Sequence, residues 1–141
     1  MAITKAILLV DDEAILLLSL KQSLRLRFGP AYRYETSANG AEGLERVKEL
    51  VTDGIQVVLV ISDWLMPGMK GDEFLTRLHD LYPSIKLIML TGHADESEMA
   101  GLSREVGLEA FIRKPWNAAQ LFGIVERALA PCEANGERAQ A

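Results

Sequence analysis

Cysteine occurs once in the 141 residues, as Cys132 beside Pro131. The chain therefore has neither a disulfide framework nor the spaced thiolates of a cysteine-rich metal site, and this usage fits a reducing cytoplasm. Histidine is almost as scarce. His79 and His93 are the two present, too few for a transition-metal site, and neither stands in the helical-bundle setting of a phosphotransfer histidine. Positive charge is in deficit, with 15 Lys and Arg against 20 Asp and Glu and a net charge of −5, which removes any general attraction to nucleic acid or anionic membrane. A nucleic-acid role would need another domain or partner. No apolar run approaches the roughly 18 residues of a membrane span. The start, Met1 to Lys5, holds no long apolar signal region, so neither membrane insertion nor a cleaved leader is expected.

What the chain does have is apolar content: 49% of it is hydrophobic, enough for one well-filled core and too little chain for two ordinary domains. Short aliphatic runs at about 5–10, 32–36, 57–62, 85–90 and 109–112 alternate with helical patterns at roughly 14–28, 41–52, 71–82, 95–105 and 117–130. That alternation predicts a doubly wound α/β domain over residues 1–130. In the first helix Leu17, Leu20, Leu24 and Phe28 recur at helical spacing and should cover one side of the sheet, until Gly29 and Pro30 stop it. Asn39 and Gly40 mark the turn into the second helix, Pro83 the turn after the third, and Gly107 the end of the fourth. Residues 131–141 lose the periodicity and read as a flexible tail or the start of a linker.

Acidic residues stand where packing explains them poorly. The run Val57 to Ile61 delivers Asp63 to the mouth of a buried strand, just before Trp64, Leu65, Met66, Pro67 and Gly68. Asp11 and Asp12 follow another apolar strand, Ala6 to Val10, and parallel strands would bring both acidic ends to one edge of the sheet. Such a pocket binds metal or accepts a phosphoryl group; the competing reading has Asp11 and Asp12 cap a helix and Asp63 open a turn. Thr91 and Gly92 after the fourth strand are either a plain turn or a hydroxyl donor beside a residue that permits close backbone approach. A Gly-rich turn is missing after the first strand, which argues against a dinucleotide site or a flavodoxin-like electron carrier. Leu65 stands where a haloacid-dehalogenase-like enzyme would want a second aspartate.

Four blocks occur in order: ILLVDDE at 7–13, VISDWLMPGMKGDEF at 60–74, LTGH at 90–93 and FIRKP at 111–115. With them the chain resembles the receiver domain of bacterial two-component response regulators over almost all of residues 4–130, the chemotaxis-type single-domain regulators included. The resemblance implies a five-stranded parallel sheet in the order 2-1-3-4-5, a flavodoxin-like three-layer sandwich, with its pocket at the C-terminal ends of the strands. It implies that Asp63 accepts a phosphoryl group from a sensor histidine kinase or a histidine phosphotransfer protein. It further implies Mg²⁺, with Mn²⁺ as the alternative, held directly by Asp12, Asp63 and the backbone carbonyl of Leu65, and through water by Asp11. Thr91 then matches the switch hydroxyl, and Lys114, aimed by a cis peptide to Pro115, the lysine that contacts the phosphoryl group or Asp63. A signalling domain in the cytoplasm is implied rather than a stand-alone enzyme. The runner-up is a pseudo-receiver that binds partners without phosphoryl transfer.

Phe111 occupies the position where many receivers carry tyrosine or phenylalanine moving between outward and inward positions, and it lacks the hydroxyl that could hold a backbone carbonyl. The alternative is a static core phenylalanine. The family also implies that Leu65 and His93 flank the water route to the acyl phosphate, and that residues 94–130 form the regulated output surface, which serves homodimers in some relatives. Trp64 and Trp116 are candidates for the pocket rim and for partner contact, with Ile15 and Leu16 adding apolar surface; burial is the competing account of Trp64 and of at least one of the two aliphatic residues. The output domain or partner is not specified by any of these residues.

Overall fold

Apolar runs become strands where turn residues bracket them, and helices where the apolar spacing changes to helical. The computed structural model describes residues 3–64, 66, 68–92, 100–101 and 104–130. Its elements are β1 (Lys5–Val10), α1 (Ala14–Phe28), β2 (Tyr32–Ser37), α2 (Gly40–Thr52), β3 (Gln56–Asp63), α3 (Gly71–Leu81), β4 (Lys86–Thr91), β5 (Ala110–Arg113) and α4 (Ala118–Leu129). Residues 100–101 and 104–106 are also helical. The remainder of the helix expected over 95–105, and the tail 131–141, lie outside the described residues. The strands form one parallel sheet in the order β2-β1-β3-β4-β5, so the expected doubly wound topology is borne out. Two boundaries differ in a way that matters for chemistry: Asp63 and Thr91 are the last residues of their strands.

The sheet is covered on both faces. Ala6, Leu8 and Val10 of β1 pack with Val47 and Leu50 of α2 and with Phe74, Leu75 and Leu78 of α3. Ile7 and Leu9 pack with Leu17, Leu20 and Leu24 of α1 and with Leu121, Val125 and Ala128 of α4. One irregularity interrupts the alternation. Ala6 pairs with Val57 but Ile7 pairs with Leu59, so Val58 is an extra residue in β3. Val57 consequently belongs to the α2 and α3 layer, whereas Val58 and Leu59 both belong to the α1 and α4 layer. Because strand side chains alternate with period two, this bulge decides the face on which every later residue of β3 lies. Ile61 packs with the α1 and α4 layer, and Asp63 follows it two residues on.

Local chemistry fixes the helix ends. The Asn39 side chain accepts the Glu42 N–H at 2.9 Å while the Glu42 carboxylate accepts the Ala38 N–H at 3.0 Å, which satisfies two backbone donors at the start of α2. Asn117 does the same for Gln120 at 3.0 Å ahead of α4. α1 ends as expected at Gly29, whose N–H donates to the Arg25 carbonyl. That helix carries apolar residues on both sides, since Ile15, Leu18 and Leu26 are exposed opposite its buried leucines. Phe28 meets Phe122 edge-on at 6.2 Å and joins α1 to α4. Among the described residues no helix is long and apolar enough to cross a membrane.

Gly71, the first residue of α3, has the closest surroundings among the described glycines. Its N–H donates to the Trp64 carbonyl at 2.8 Å, and a Cβ placed there would collide with the Asp63 carbonyl oxygen and lie 2.9 Å from the Trp64 Cα. Both obstacles are backbone, so no rotamer change relieves them. Gly71→Ala is expected to lower the urea midpoint by an amount equivalent to about 1–3 kcal/mol, the usual cost of overpacking. An unchanged midpoint would show that the end of β3 yields freely.

Candidate functional site

A parallel sheet presents the ends of its strands, and whatever follows them, along one edge; in an open α/β sheet the crevice lies where the strand order reverses. Here β1 lies between β2 and β3. Val10 pairs with Ser62, which sets Asp11 beside Asp63. Oxygens of Asp11, Asp12 and Asp63 all lie within 4.8 Å of one another. Asp11 and Asp63 are buried, and Asp12 is exposed. The Lys114 ammonium enters from the end of β5, 3.1 Å from Asp11 Oδ2 and 3.1 Å from Asp63 Oδ1. Of the expected pocket residues, Asp11, Asp12, Asp63 and Lys114 are therefore brought together. Parity explains it: Leu9, Ile61 and Ile112 pack on the α1 and α4 face, and Asp11, Asp63 and Lys114 each come two residues later.

Backbone donors hold the two buried acids. Asp11 Oδ1 accepts the Glu13 N–H at 2.9 Å, and Asp63 Oδ1 accepts the Trp64 N–H at 2.9 Å. Asp11 is more than a helix cap, since its other oxygen takes Lys114, and the residue at the N-cap of α1, Glu13, makes no side-chain cap bond. Burial pushes the Asp63 carboxyl above its usual range and the Asp11 charge adds to the push, while Lys114 and the Trp64 N–H pull against it. Burial raises Asp11 too, against the Glu13 N–H and Lys114. For Lys114, burial opposes the charge, but the hydrogen bond to Asp11 and the field of Asp63 outweigh it and hold the ammonium above its ordinary value.

Thr91 ends β4 almost fully buried, and its hydroxyl has no hydrogen-bond partner among the described residues. The Thr91 carbonyl accepts the Lys114 N–H at 2.8 Å, which sets Thr91 next to Lys114 at the same sheet edge, and a buried hydroxyl without a partner suits an incoming oxygen ligand. The Lys114 to Pro115 peptide is cis, as the resemblance implied. An oxygen-only cluster of three carboxylates also suits a hard divalent cation. Leu65, whose carbonyl was expected in the metal shell, and His93 lie outside the described residues.

Several expectations need correction. Trp64 is 7% exposed and packs in the core with the α3 residues, because its position one residue past Asp63 turns it to the opposite face; the expectation of a rim residue for partner contact gives way to burial. Phe111 is 41% exposed, so it is not a static core residue. A Cβ at Gly92 would meet no protein atom within 4 Å, and within the fold the close backbone approach is at Gly71. Trp116 is half-buried and lines an open apolar groove with Glu13, Ile15 and Leu16. Two contributors carried little sequence signal. Glu13, 3.5 Å from Lys114, stood out only as the third acid of a run, and Gly71 only as a glycine before a helix.

Comparison with known proteins agrees with this geometry. The family model described as the response regulator receiver domain matches residues 7–126. The chain is 32% identical over 123 residues to the sensor kinase CckA of Brucella abortus, covering 87% of this chain and 12% of that protein. It thus spans only a small part of the length of that relative. Among solved structures it is similar to a CheY-like response regulator receiver domain protein from Methanospirillum hungatei, with 31% identity, a TM-score of 0.76 and coverage of 97% of this chain and 98% of that one. It is also similar to the response regulator protein TrrA from Thermotoga maritima, solved in complex with Mg²⁺-BeF, with 28% identity, a TM-score of 0.73 and coverage of 89% and 99%.

The raised carboxyls give a pH dependence with a definite sign. A group whose folded pKa lies above its unfolded value opposes folding once it ionises, so the penalty is absent below the ordinary value of 3.8 for Asp63 and complete above the raised one. In chelator-treated protein, Asp63→Asn is expected to be more stable than wild type at neutral pH, with the difference shrinking as pH falls toward the ordinary carboxylate range. Urea melts at several pH values check this. A difference that grows on acidification would contradict the cause given for the shift.

Proposed function

The chain belongs to the response regulator receiver domain family, and from that premise we propose that Asp63 is a phosphoacceptor. The observation that carries the reading is the convergence of Asp11, Asp12, Asp63 and Lys114 at the sheet edge where Thr91 ends β4. An Asp63 carboxylate oxygen attacks the phosphorus of a phosphohistidine, the phosphorus–nitrogen bond breaks, and its electron pair leaves with the imidazole; the product is an acyl phosphate. On this reading Lys114 and the Thr91 hydroxyl meet the added oxygens. Asp11, Asp12 and Asp63 are the residues to hold Mg²⁺, which when bound offsets the charge of acids and phosphoryl group. The Leu65 carbonyl remains part of the proposed metal shell.

The partner supplying the phosphoryl group is a histidine kinase or a histidine phosphotransfer protein. Its docking surface is the pocket rim made by Trp116 and the start of α1, where Ile15 is 85% exposed and Leu18 also faces out. An apolar strip beside an acidic pocket suits an amphipathic helix that carries the phosphohistidine. On the other side, the outward Phe111 marks the output surface within 94–130, open to an output domain, a separate protein or a second copy.

With Mg²⁺ and acetyl phosphate, the wild-type protein is expected to gain one phosphoryl group by intact-protein mass spectrometry, and Asp63→Asn none. Equal, stable labelling of both would sink the assignment. Labelling of neither, with acetyl phosphate and with phosphorylated histidine donors alike, would favour the pseudo-receiver.

Phosphorylation can shift an equilibrium only through interactions that differ between the two states. The Thr91 hydroxyl gains a partner in one state alone, and Phe111 changes its packing. Amide NMR with and without Mg²⁺ and a beryllofluoride phosphoryl mimic is expected to show shifts reaching β5 and α4, reduced in Thr91→Ala. Shifts confined to the neighbours of Asp63 would reject the switch.

A further inference from the structure

The Lys114 ammonium faces three carboxylates, at 3.1 Å from Asp11, 3.1 Å from Asp63 and 3.5 Å from Glu13. An ammonium has three donors, so this set is one it can satisfy in full. The three acids differ in what else they serve. Asp11 and Asp63 also belong to the cluster of close carboxylate oxygens, together with Asp12, and Glu13 does not. Asp11 and Asp63 are buried, whereas the Glu13 side chain is 63% exposed. The Glu13 backbone is nonetheless fixed, because its N–H donates to Asp11 Oδ1 at 2.9 Å. It joins an anchored backbone to an exposed acidic side chain.

We propose that Glu13 is a positioning residue for Lys114, holding the ammonium at the pocket rim while the Asp11 and Asp63 oxygens serve the metal site. The proposal rests on the receiver reading given above. A divalent cation and an ammonium repel each other and compete for the same carboxylate oxygens, so metal affinity depends on whether the ammonium has another place to stand. Glu13 supplies that place within reach of the pocket, which keeps Lys114 available for a phosphoryl oxygen instead of releasing it to solvent. Without Glu13, the ammonium rests on Asp11 and Asp63 alone and opposes metal entry more strongly.

Two simpler roles make different predictions. If Glu13 acted only through its negative charge, Glu13→Asp would keep the effect, since the charge stays and only one methylene is lost. If it acted only through folding, metal affinity would not depend on Lys114. Isothermal titration of Mg²⁺ into the full chain separates these. Glu13→Gln is expected to bind about tenfold more weakly, the lower end of what outer-shell partners contribute, and Glu13→Asp to be weakened similarly because its shorter arm falls short of Lys114. In a Lys114→Met background, Glu13→Gln is expected to change affinity less than twofold, the coupling a double-mutant cycle reads. Full affinity in Glu13→Gln, wild-type affinity in Glu13→Asp, or an undiminished loss in the Lys114→Met background would each overturn the proposal. Mg²⁺ binding by a wild type that is never labelled at Asp63 would overturn the receiver reading alone, and a wild type that binds no Mg²⁺ would overturn both.

Discussion

Two carboxylates buried at a sheet edge would each be penalised by several kcal/mol for lost hydration if they stood alone, and the Lys114 ammonium, 3.1 Å from Asp11 and from Asp63, is what opposes that penalty. The ion pair spans nearly the whole chain: Lys114 and Asp11 are 103 residues apart. It can form only if β5 lies against β4, β4 against β3 and β3 against β1, in the order the sheet adopts. Compensation is nevertheless incomplete. Both acids remain raised with Lys114 in place, so the pocket still carries more negative charge than its surroundings favour. A second cation lowers that strain and a lone phosphoryl group raises it. This ordering is the physical reason for assigning the pocket a divalent ion alongside phosphoryl acceptance.

The side chains reach one another through parity. Asp11, Asp63 and Lys114 each stand two residues beyond a strand residue of the α1 and α4 face, namely Leu9, Ile61 and Ile112. For β3 that parity is not automatic, because Val57 lies on the opposite face and strict alternation from it would carry Asp63 there too. The extra residue at Val58 corrects it. Trp64 then falls on the other face, where it is buried with Phe74, and Gly71 lets α3 begin directly against the Asp63 carbonyl. The bulge, the buried indole and the bare glycine together fix the position of one carboxylate.

Aliphatic runs of strand length, acids at their ends and turn residues between them made the doubly wound class and the acids Asp11, Asp12 and Asp63 legible, whereas the strand order, Thr91 and Lys114 came from the resemblance of the four sequence blocks to receiver domains. The features the sequence hid leave no such trace. Val57 and Val58 are both apolar and the sheet is covered on both sides, so either parity reads alike and the bulge is invisible. Glycine serves open turns and tight contacts equally, which is why nothing in the sequence singled out Gly71 as a point of close backbone packing. A tryptophan beside a functional aspartate can line a rim or fill a core, and the choice for Trp64 depended on the parity that Val58 sets. Glu13 was one acid among three until Lys114 arrived beside it.

The pocket also divides into a part that is held and a part with freedom to respond. Asp11 and Asp63 are tied to backbone N–H groups at 2.9 Å on either side of the crevice, so they define a fixed frame. Thr91 is buried with its hydroxyl unpaired, and Phe111, two strand residues before Arg113, stands partly in solvent. Leaving a buried hydroxyl unsatisfied costs about 1–3 kcal/mol, and on the proposed reading a phosphoryl oxygen relieves that cost in the phosphorylated state only. Coupling free energies of about 1–3 kcal/mol correspond to population shifts of roughly 5- to 150-fold. On the same reading, such a shift is large enough to move Phe111 between solvent and a packed position without the hydroxyl that a tyrosine would add. On the proposed reading, the end of β4 is therefore where phosphorylation acts on the equilibrium, through the Thr91 hydroxyl.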